Sequence, residues 1–371
     1  MAAHQGDSAG SIERADVEDA GDPPGLDVAR LARWMDDEGL PGAGRPLSVT
    51  RLSGGSQNDL FELRRGEGER LALRRPPPHA ALDRAVTMAR EVRVLRALAG
   101  SDVPHPRLVG GSDDPAILGG PFYVTELVDG WSPMNGGWQA PFDTDLAARA
   151  GLAIELVEGI ARLARVDWRA AGLEGFGRPD GFHERQVDRW LAFLADYQFR
   201  ELPGLDDAAG WLRGHRPRWY EPGIMHGDYQ FANVMFRHGA PARLAAIIDW
   251  EMATVGDPLL DLGWVLVSWP PEGDDMDRAR YLDLDGMPPR DALLEHYASV
   301  SGRPVDDIDY YVILARFKLA IVLEKSAARY AHGRANGQAH GGADERVAGF
   351  GAVVLELMRK AADLARTTTL R

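Results

Sequence analysis

The sequence contains no cysteine among its 371 residues, which excludes disulfide bonds, thiolate metal sites and cysteine nucleophiles. Long apolar runs are also missing. The longest uncharged stretch, residues 130–142, is interrupted by glycine, proline and asparagine. It falls short of the ~18 apolar residues that a membrane-spanning helix needs, so we expect no membrane partner.

Positive charge is scarce as well. The chain has 42 lysine and arginine residues against 56 acidic residues, a formal net charge of −14. Because a nucleic-acid-binding surface needs a basic footprint, we expect no nucleic-acid partner. An acidic surface would suit a cationic substrate, and it would equally serve solubility alone.

The first 24 residues contain six acids, a single base and almost no large apolar side chains. They cannot bury enough surface to order themselves, so we predict a disordered acidic tail over residues 1–24. The opening residues MAAHQGDSAG lack the basic flank and apolar core of a secretory signal. The expected compartment is the cytoplasm.

Residues 25–127 are predicted to form the first of two lobes, since the chain is too long for one small core. Apolar patterns bounded by turn residues predict strands over 47–52, 60–63, 71–74 and 122–127. Helical spacing predicts helices over 25–40 and 85–98. We therefore expect a small, mostly antiparallel sheet with one inserted helix.

Residues 128–371 are predicted to form a larger, mainly helical lobe, which makes the fold class α+β. Helical spacing around 152–163, 187–197 and 310–330 predicts amphipathic helices. Strands over 234–236 and 244–248 flank a turn and predict a short hairpin. The glycine-rich segment 331–342 is predicted to be a loop.

The densest polar cluster is MHGDYQFANV at residues 225–234, followed by IIDW at 247–250. Because a hairpin brings the ends of its strands together, Asn233 and Asp249 can meet at one mouth. Amide and carboxylate oxygens of this kind suit Mg²⁺. Asp228 remains as a carboxylate that could accept a proton from a substrate hydroxyl. The alternative is a capped turn with an acid at a strand end.

The order H-G-D-x-x-x-x-N followed by I-D-W resembles the catalytic and metal motifs of protein kinases, H-R-D-x-x-x-x-N and D-F-G. With glycine in second place and G-D-P-x-x-D-L following, the chain resembles the aminoglycoside phosphotransferase and choline kinase superfamily. More narrowly, LALRRPP, FYVTELVDG, HGDYQFANVMF and IDWEMATVGDPLLDLGW resemble the kinase-like domains sometimes fused to acyl-CoA dehydrogenases. The resemblance covers roughly residues 45–330 and implies a bilobal protein kinase-like fold that uses ATP (or GTP) and Mg²⁺.

The resemblance also implies roles for single residues. Asp228 matches the catalytic base, and Asn233 and Asp249 match the metal ligands. His226 matches a structural anchor of the catalytic loop, and Asp261 matches a helix carboxylate that braces it. Asp257 precedes Pro258, which predicts a helix N-cap with proline at the first helical position.

A kinase-like first lobe needs a cation on its third strand to hold the nucleotide phosphates. No lysine precedes Lys318, so an arginine must serve. Strand alternation places Ala72 and Arg74 on one face and Arg75 on the other, which matches a small residue against adenine and a cation over phosphate. Arginine keeps its charge and can bind phosphate bidentately.

The remaining nucleotide contacts are implied by the resemblance. Glu91 would orient Arg74, or it is an ordinary solvated helix acid. The turn at 53–58 would lend backbone N–H groups to the phosphates. The stretch 125–128 would be a hinge whose backbone binds adenine, or a buried edge strand joining two lobes. The predicted nucleotide-binding residues are Ser56, Gln57, Asn58, Ala72, Arg74, Glu91, Glu126 and Leu127.

The predicted reaction is transfer of the γ-phosphoryl group of ATP, or GTP, to a hydroxyl of a small molecule. An inward Arg316 would favour an anionic acceptor such as a phosphorylated or CoA-linked hydroxy compound, unless it pairs with an internal acid. The acidic lobe favours an amino-sugar or amino-alcohol instead. Candidates for the wall of the acceptor pocket, whose aromatic members could equally be core residues, are Trp190, Tyr197, Tyr311, Arg316 and Lys318.

Two rival interpretations remain. The replaced lysine suggests a nucleotide-binding pseudokinase that acts as a sensor or scaffold. A metal-dependent hydrolase could be built on His226, Asp228 and Asp249, but it lacks the further histidine or carboxylate ligands that a hydrolytic zinc site normally has.

Overall fold

The computed structural model of the chain describes residues 23–52, 58–66, 68, 70–77, 82–134, 137–269, 283–335 and 344–370. Its strands are β1 (Leu47–Leu52), β2 (Asp59–Arg65), β3 (Arg70–Arg75), β4 (Leu108–Ser112), β5 (Phe122–Glu126), β6 (Gly223–Met225), β7 (Val234–Phe236), β8 (Leu244–Ile247) and β9 (Thr254–Gly256). Its α-helices are α1 (Val28–Asp37), α2 (Leu82–Leu98), α3 (Pro115–Leu118), α4 (Leu146–Arg165), α5 (Phe182–Ala195), α6 (Leu205–Gly214), α7 (Leu259–Leu266), α8 (Arg290–Ser301), α9 (Ile308–Ala335) and α10 (Asp344–Thr367).

The chain divides into two compact units. Unit 1 contains the described residues up to Gly159 together with Val166–Phe176 and Phe231–Ala253. Unit 2 contains Ile160–Arg165, Gly177–Gln230 and the described residues from Thr254 onward. These units alternate along the chain, whereas the lobes predicted above divide it once, at residue 128. The two lobes remain a prediction.

Unit 1 is built on an antiparallel sheet of five strands in the order β1-β2-β3-β5-β4. Because side chains alternate between the two faces of a sheet, one face is free to be fully apolar. Helix α1 packs on that face, where Trp34 meets Phe122 edge to face at 4.7 Å. The resulting core consists of Leu26, Leu31, Trp34, Met35, Phe61, Leu63, Leu71, Leu73, Phe122 and Val124.

The hairpin β7–β8 also belongs to unit 1. Val234 pairs with Ile247 and Met235 with Ala246. One step further on, the Ile248 amide donates to the Asn233 carbonyl at 2.9 Å. The antiparallel pairing therefore continues up to the residues just before Asp249.

Unit 2 is mainly helical, with a small antiparallel pair formed by β6 and β9. Helix α9 is apolar around most of its circumference through residue 321, which is typical of a helix enclosed by others. Gly263 on α7 shows how closely one neighbour approaches. A Cβ there would lie 2.8 Å from the backbone carbonyl carbon and oxygen of Tyr311, so only glycine permits this contact.

The predicted α+β class is confirmed. An antiparallel sheet with the long inserted helix α2 precedes a mainly helical C-terminal region. Strand β4 was not predicted, because its sequence LVGGS contains two glycines and has little strand propensity. The loop predicted from residue 331 is wrong for its first residues, since α9 continues to Ala335. Residues 336–343, and the predicted tail apart from residues 23 and 24, lie outside the described residues.

Among the described residues, no helix combines the length and apolarity needed to cross a bilayer.

Candidate functional site

Asn233 and Asp249 occupy the open end of the β7–β8 hairpin in unit 1. Asn233 ends a short 3-10 helix and is buried. Asp249 is the second residue after β8 and remains part-exposed. Asp249 has φ +64°, in the left-handed region that non-glycine residues seldom occupy. Such a conformation persists where the surroundings impose it, and it is concentrated at functional sites.

Arg74 connects the sheet to this hairpin end. Its Nη2 donates to Asp249 Oδ1 at 2.9 Å, and its Nη1 lies 3.5 Å from Glu91 Oε2. The Tyr123 hydroxyl donates to the same Glu91 oxygen at 2.7 Å. Arg74 is thus held between carboxylates from α2 and from the hairpin.

The pKa shifts follow from this arrangement. Burial acts to lower the pKa of Arg74, but Tyr123, Glu91 and Asp249 together raise it. The guanidinium therefore stays protonated and positively charged. Burial raises the pKa of Glu91, against the opposing effects of Arg74 and the Tyr123 hydroxyl. Burial also raises the pKa of Glu251, and the neighbouring Asp249 charge acts in the same direction.

Neighbouring residues of β3 point to opposite faces of the sheet. Ala72 is buried, two residues from Arg74. Arg75 faces the other way, with its guanidinium 5.4 Å from the Phe61 ring centroid, and it donates to the Gly25 carbonyl at 2.7 Å. Of the two arginines, Arg74 alone contacts Asp249.

The structure gives less support to the other predicted nucleotide contacts than to Arg74. Ser56 and Gln57 lie outside the described residues, and Asn58 is buried immediately before β2. The amide of Glu126 donates to the Arg107 carbonyl at 3.0 Å, and the amide of Leu127 donates to the Arg70 carbonyl at 2.9 Å. Both N–H groups are therefore engaged within unit 1, so an adenine would have to be bound by other backbone groups of the predicted hinge.

Asp228 lies in unit 2, on a loop fixed by Asp261 of α7. Asp261 accepts from the amides of His226 at 2.6 Å and Gly227 at 2.9 Å. His226 is buried, and its Nδ1 accepts from the Asp228 amide at 3.3 Å. The Asp228 carboxylate accepts from Gln230 Nε2 at 2.9 Å.

The carboxyl group of Asp261 has a strongly perturbed pKa. Burial raises it to about 6, although the two backbone amides and Lys318 act against that rise and Asp228 adds to it. The loop conformation, with Gly227 at φ +86°, is therefore maintained by a carboxylate that is itself costly to ionise.

Asp257 joins three helices of unit 2. Helix α7 begins at Leu259 with Pro258 at its N-cap position, one residue later than the predicted cap at Asp257. Asp257 Oδ1 nevertheless accepts from the Leu259 amide at 3.2 Å. Its Oδ2 lies 2.8 Å from His183 Nε2 and accepts from the Tyr311 hydroxyl at 2.5 Å. These last two contacts link α5 and α9 to α7 and were not predicted.

The predicted wall residues of the acceptor pocket differ in their surroundings. Tyr311 and Arg316 are each 2% exposed, and Arg316 Nη1 donates to the Lys360 carbonyl at 3.1 Å. Both are interior groups, because each is almost fully buried and makes a hydrogen bond within unit 2. Tyr197 is part-buried and donates to the Ile321 carbonyl at 2.6 Å. Trp190 is buried, and its indole Nε1 has no hydrogen-bond partner.

Tyr123 and Glu251 are the site neighbours that sequence reasoning missed. The register that pairs Arg74 with Tyr123 across β3 and β5 could have indicated the first, since directly opposed residues share a face. Glu251, two residues after Asp249, lies 3.5 Å from Arg84 of α2, and no motif indicates it.

Known proteins resemble this chain in sequence and in fold. Residues 48–299 match the phosphotransferase enzyme family. Acyl-CoA dehydrogenase family member 11 of Gallus gallus is 30% identical over 302 residues, which are 79% of this chain but 38% of that protein. The chain thus spans less than half the length of this curated relative.

Two solved structures resemble the chain over most of its length. A putative aminoglycoside phosphotransferase from Ralstonia eutropha JMP134 is 27% identical with a TM-score of 0.77, over 92% of this chain and 98% of that one. A choline kinase from Cryptosporidium parvum Iowa II shares the fold, with a TM-score of 0.59 at 11% identity, over 92% and 96%. The predicted resemblance is confirmed: the chain belongs to the phosphotransferase enzyme family.

Proposed function

We propose that the chain transfers the γ-phosphoryl group of ATP, or GTP, to a hydroxyl of a small molecule, with Mg²⁺ as cofactor. The observation that carries this proposal is the contact between Arg74 on β3 and Asp249 at the end of β8. It places a permanent cation beside a carboxylate in a rare backbone conformation. Phosphoryl transfer depends mainly on positioning and charge neutralisation, and these groups supply both.

The residues present fit a magnesium ion. Asn233 and Asp249 offer an amide and a carboxylate at one hairpin end, and Mg²⁺ is usually held by one or two protein oxygens together with phosphates and waters. No group of three histidine, aspartate or glutamate side chains suited to a metal is found among the described residues, which disfavours the hydrolase alternative. When bound, the ion would neutralise phosphate charge.

The remaining roles belong to side chains of the chain itself. Arg74 would hold the nucleotide phosphates, with Glu91 fixing its direction from α2. Asp228 would orient the acceptor hydroxyl and accept its proton. The contacts of His226 and Gly227 with Asp261 would hold the loop that carries Asp228.

The acceptor is proposed only as a hydroxyl compound. The argument for an anionic acceptor from Arg316 is withdrawn, because its guanidinium is an interior group bonded to the Lys360 carbonyl. Trp190 and Tyr197 remain wall candidates. The aminoglycoside and choline named for the two solved relatives both carry hydroxyls together with positively charged nitrogen, and they are the first acceptors to try.

The first experiment measures nucleotide binding. Thermal unfolding is followed with Mg²⁺-ATP and Mg²⁺-GTP for the wild type and for Arg74→Met, Asp249→Asn and Asp228→Asn. We expect stabilisation of the wild type and of Asp228→Asn, and its loss in the other two variants. Arg75→Met is the matched control, since this arginine faces away from Asp249, and it should keep the nucleotide response.

The second experiment measures transfer to a panel of hydroxyl compounds, including aminoglycosides and choline, by mass spectrometry of the products. Asp228→Asn should lower turnover by about 10²–10⁴-fold, the usual contribution of a general base. Nucleotide binding without any product would instead favour the pseudokinase alternative. A wild type that neither nucleotide stabilises would refute the proposal.

A further inference from the structure

Lys318 is a buried cation that the mechanism above does not use. It lies on α9 and is 8% exposed. Its Nζ lies 5.3 Å from the ring centroid of Trp190 on α5 and 5.2 Å from that of Trp264 on α7. An ammonium within about 6 Å of an aromatic centroid is attracted by the ring, so two indoles hold this one in place.

Asp261 lies three residues before Trp264 on α7, so its carboxylate is on the same side of that helix as the indole that contacts Lys318. Asp261 in turn binds the loop that carries Asp228. Three charged groups from three different elements therefore influence this ammonium. They are Asp261 on α7, Asp228 on the loop before β7, and Arg189 on α5. Burial lowers the pKa of Lys318 to about 8, Arg189 acts in the same direction, and the two carboxylates oppose it. The influence is mutual, because Lys318 acts to lower the pKa of Asp261 while Asp228 acts to raise it.

A buried ammonium in this position implies a role that offsets the free-energy cost of burying it. Burying an ammonium carries a large desolvation penalty, and apolar residues of similar volume often replace buried ions without loss of stability. A methionine would fill the space between two indoles at no electrostatic cost. What it could not do is offset two carboxylates that act on one another, one buried in α7 and one on the loop.

We propose that Lys318 is a positioning residue for the phosphoryl transfer: its ammonium, held between Trp190 and Trp264, supplies the positive charge that keeps Asp261 and Asp228 ionised together. Ionised Asp261 accepts the two loop amides. The Asp228 carboxylate would receive the hydroxyl proton. This inference rests on the proposed function in so far as Asp228 is the base.

The decisive measurement exploits the scarcity of lysine, since Lys318, Lys325 and Lys360 are the three in the chain. With ¹³C-labelled lysine, the 371-residue chain gives three side-chain NMR signals, and Lys318→Arg identifies the one that belongs to residue 318. We expect the signal of Lys318 to titrate near pH 8 in the wild type. In Asp228→Asn its pKa should fall, because a nearby negative charge is removed.

Lys325 is the matched control for this titration. It lies on the same helix, is exposed, and has its Nζ 5.2 Å from a single ring, that of Phe193. Its signal should not respond to Asp228→Asn. A Lys318 signal that is also indifferent to Asp228→Asn overturns the inference. The NMR result does not depend on any phosphate being transferred, so it can fail or succeed separately from the proposed function.

The kinetic test compares Lys318→Met, Lys318→Arg and Lys325→Met in Mg²⁺-ATP turnover. Wild-type kcat should fall as pH rises through about 8, where Lys318 loses its proton. Lys318→Arg should move this alkaline limb to higher pH, because arginine keeps its charge. Lys318→Met should lose about tenfold or more in kcat, without a rise in the nucleotide KM or a lower melting temperature. Lys325→Met should behave as wild type.

A purely structural lysine predicts the reverse pattern. Lys318→Met would then unfold at lower temperature while its kcat and pH profile stayed those of the wild type. An alkaline limb unchanged in Lys318→Arg would likewise overturn the inference.

Discussion

Arg74 and Glu91 should stabilise the folded chain as a coupled pair. Arg74→Met leaves the Glu91 carboxylate buried, with the Tyr123 hydroxyl as a remaining donor. Glu91→Gln leaves the ion pair of Arg74 with Asp249 in place. The prediction concerns these two variants and the double variant, compared by their free energies of unfolding.

The size of the effect follows from the geometry. Unit charges separated by 3.5 Å attract by about 5 kcal/mol at an effective dielectric constant of about 20, and desolvation offsets much of that gain. We expect Arg74→Met to lower the free energy of unfolding by about 3 kcal/mol, and Glu91→Gln by about 2 kcal/mol, because Arg74 keeps Asp249. The double variant should lose about 3 kcal/mol, which leaves a coupling energy of about 2 kcal/mol.

Urea unfolding at pH 7, followed by tryptophan fluorescence, measures these energies. The matched control pairs Glu91→Gln with Arg75→Met, whose side chain lies on the opposite face of β3. That pair should be additive to within about 0.5 kcal/mol. If Arg74→Met and Glu91→Gln are equally additive, the two groups do not interact and the reasoning fails.

Three further predictions concern stability. Burial raises the pKa of Asp261 in the folded chain to about 6, from a model-peptide value of 3.8. The protonated carboxyl group therefore stabilises the folded state fully below pH 4, and this stabilisation is lost as pH rises through 6. Asp261→Asn should accordingly melt below the wild type by a margin that narrows as pH rises over that range. Gly263→Ala should lower the free energy of unfolding by about 1–3 kcal/mol, because the added Cβ overpacks against α9. In α6, a Cβ at Gly210 meets nothing within 4 Å, so Gly210→Ala should raise the free energy of unfolding by about 0.5–1 kcal/mol. Urea unfolding distinguishes the two variants. Tyr123→Phe removes the hydroxyl that donates to Glu91 and should lower the free energy of unfolding by about 1–2 kcal/mol, and an unchanged urea midpoint would contradict this.

Local patterns in the sequence were sufficient to predict much of the fold. Apolar runs bounded by turn residues predicted four strands of the large sheet and the β7–β8 hairpin, because these depend on contacts close in sequence. Strand alternation separated Arg74 from Arg75 for the same reason. Strand β4 was not predicted, because its glycines give no apolar alternation. Its pairing with β5 holds it in the sheet.

Contacts between distant elements explain what the sequence missed. Nothing near Asp257 indicates that His183, 74 residues away, will bind it. Arg316 and Lys318 are separated by one residue on α9, but one faces a carbonyl of α10 and the other faces two indoles. A polar residue on an apolar helix reveals that it has a partner, whereas only the tertiary arrangement shows which one.

The contact between Arg74 and Asp249 has a consequence for how ligands are admitted. On the proposed function, a lone divalent cation would compete with the guanidinium for Asp249, and a lone phosphate would compete with Asp249 for the guanidinium. A metal–nucleotide complex would replace both halves of the ion pair in one exchange. Metal and nucleotide affinities should therefore reinforce one another by an equal factor in each direction, and this end of the hairpin would discriminate against either ion alone.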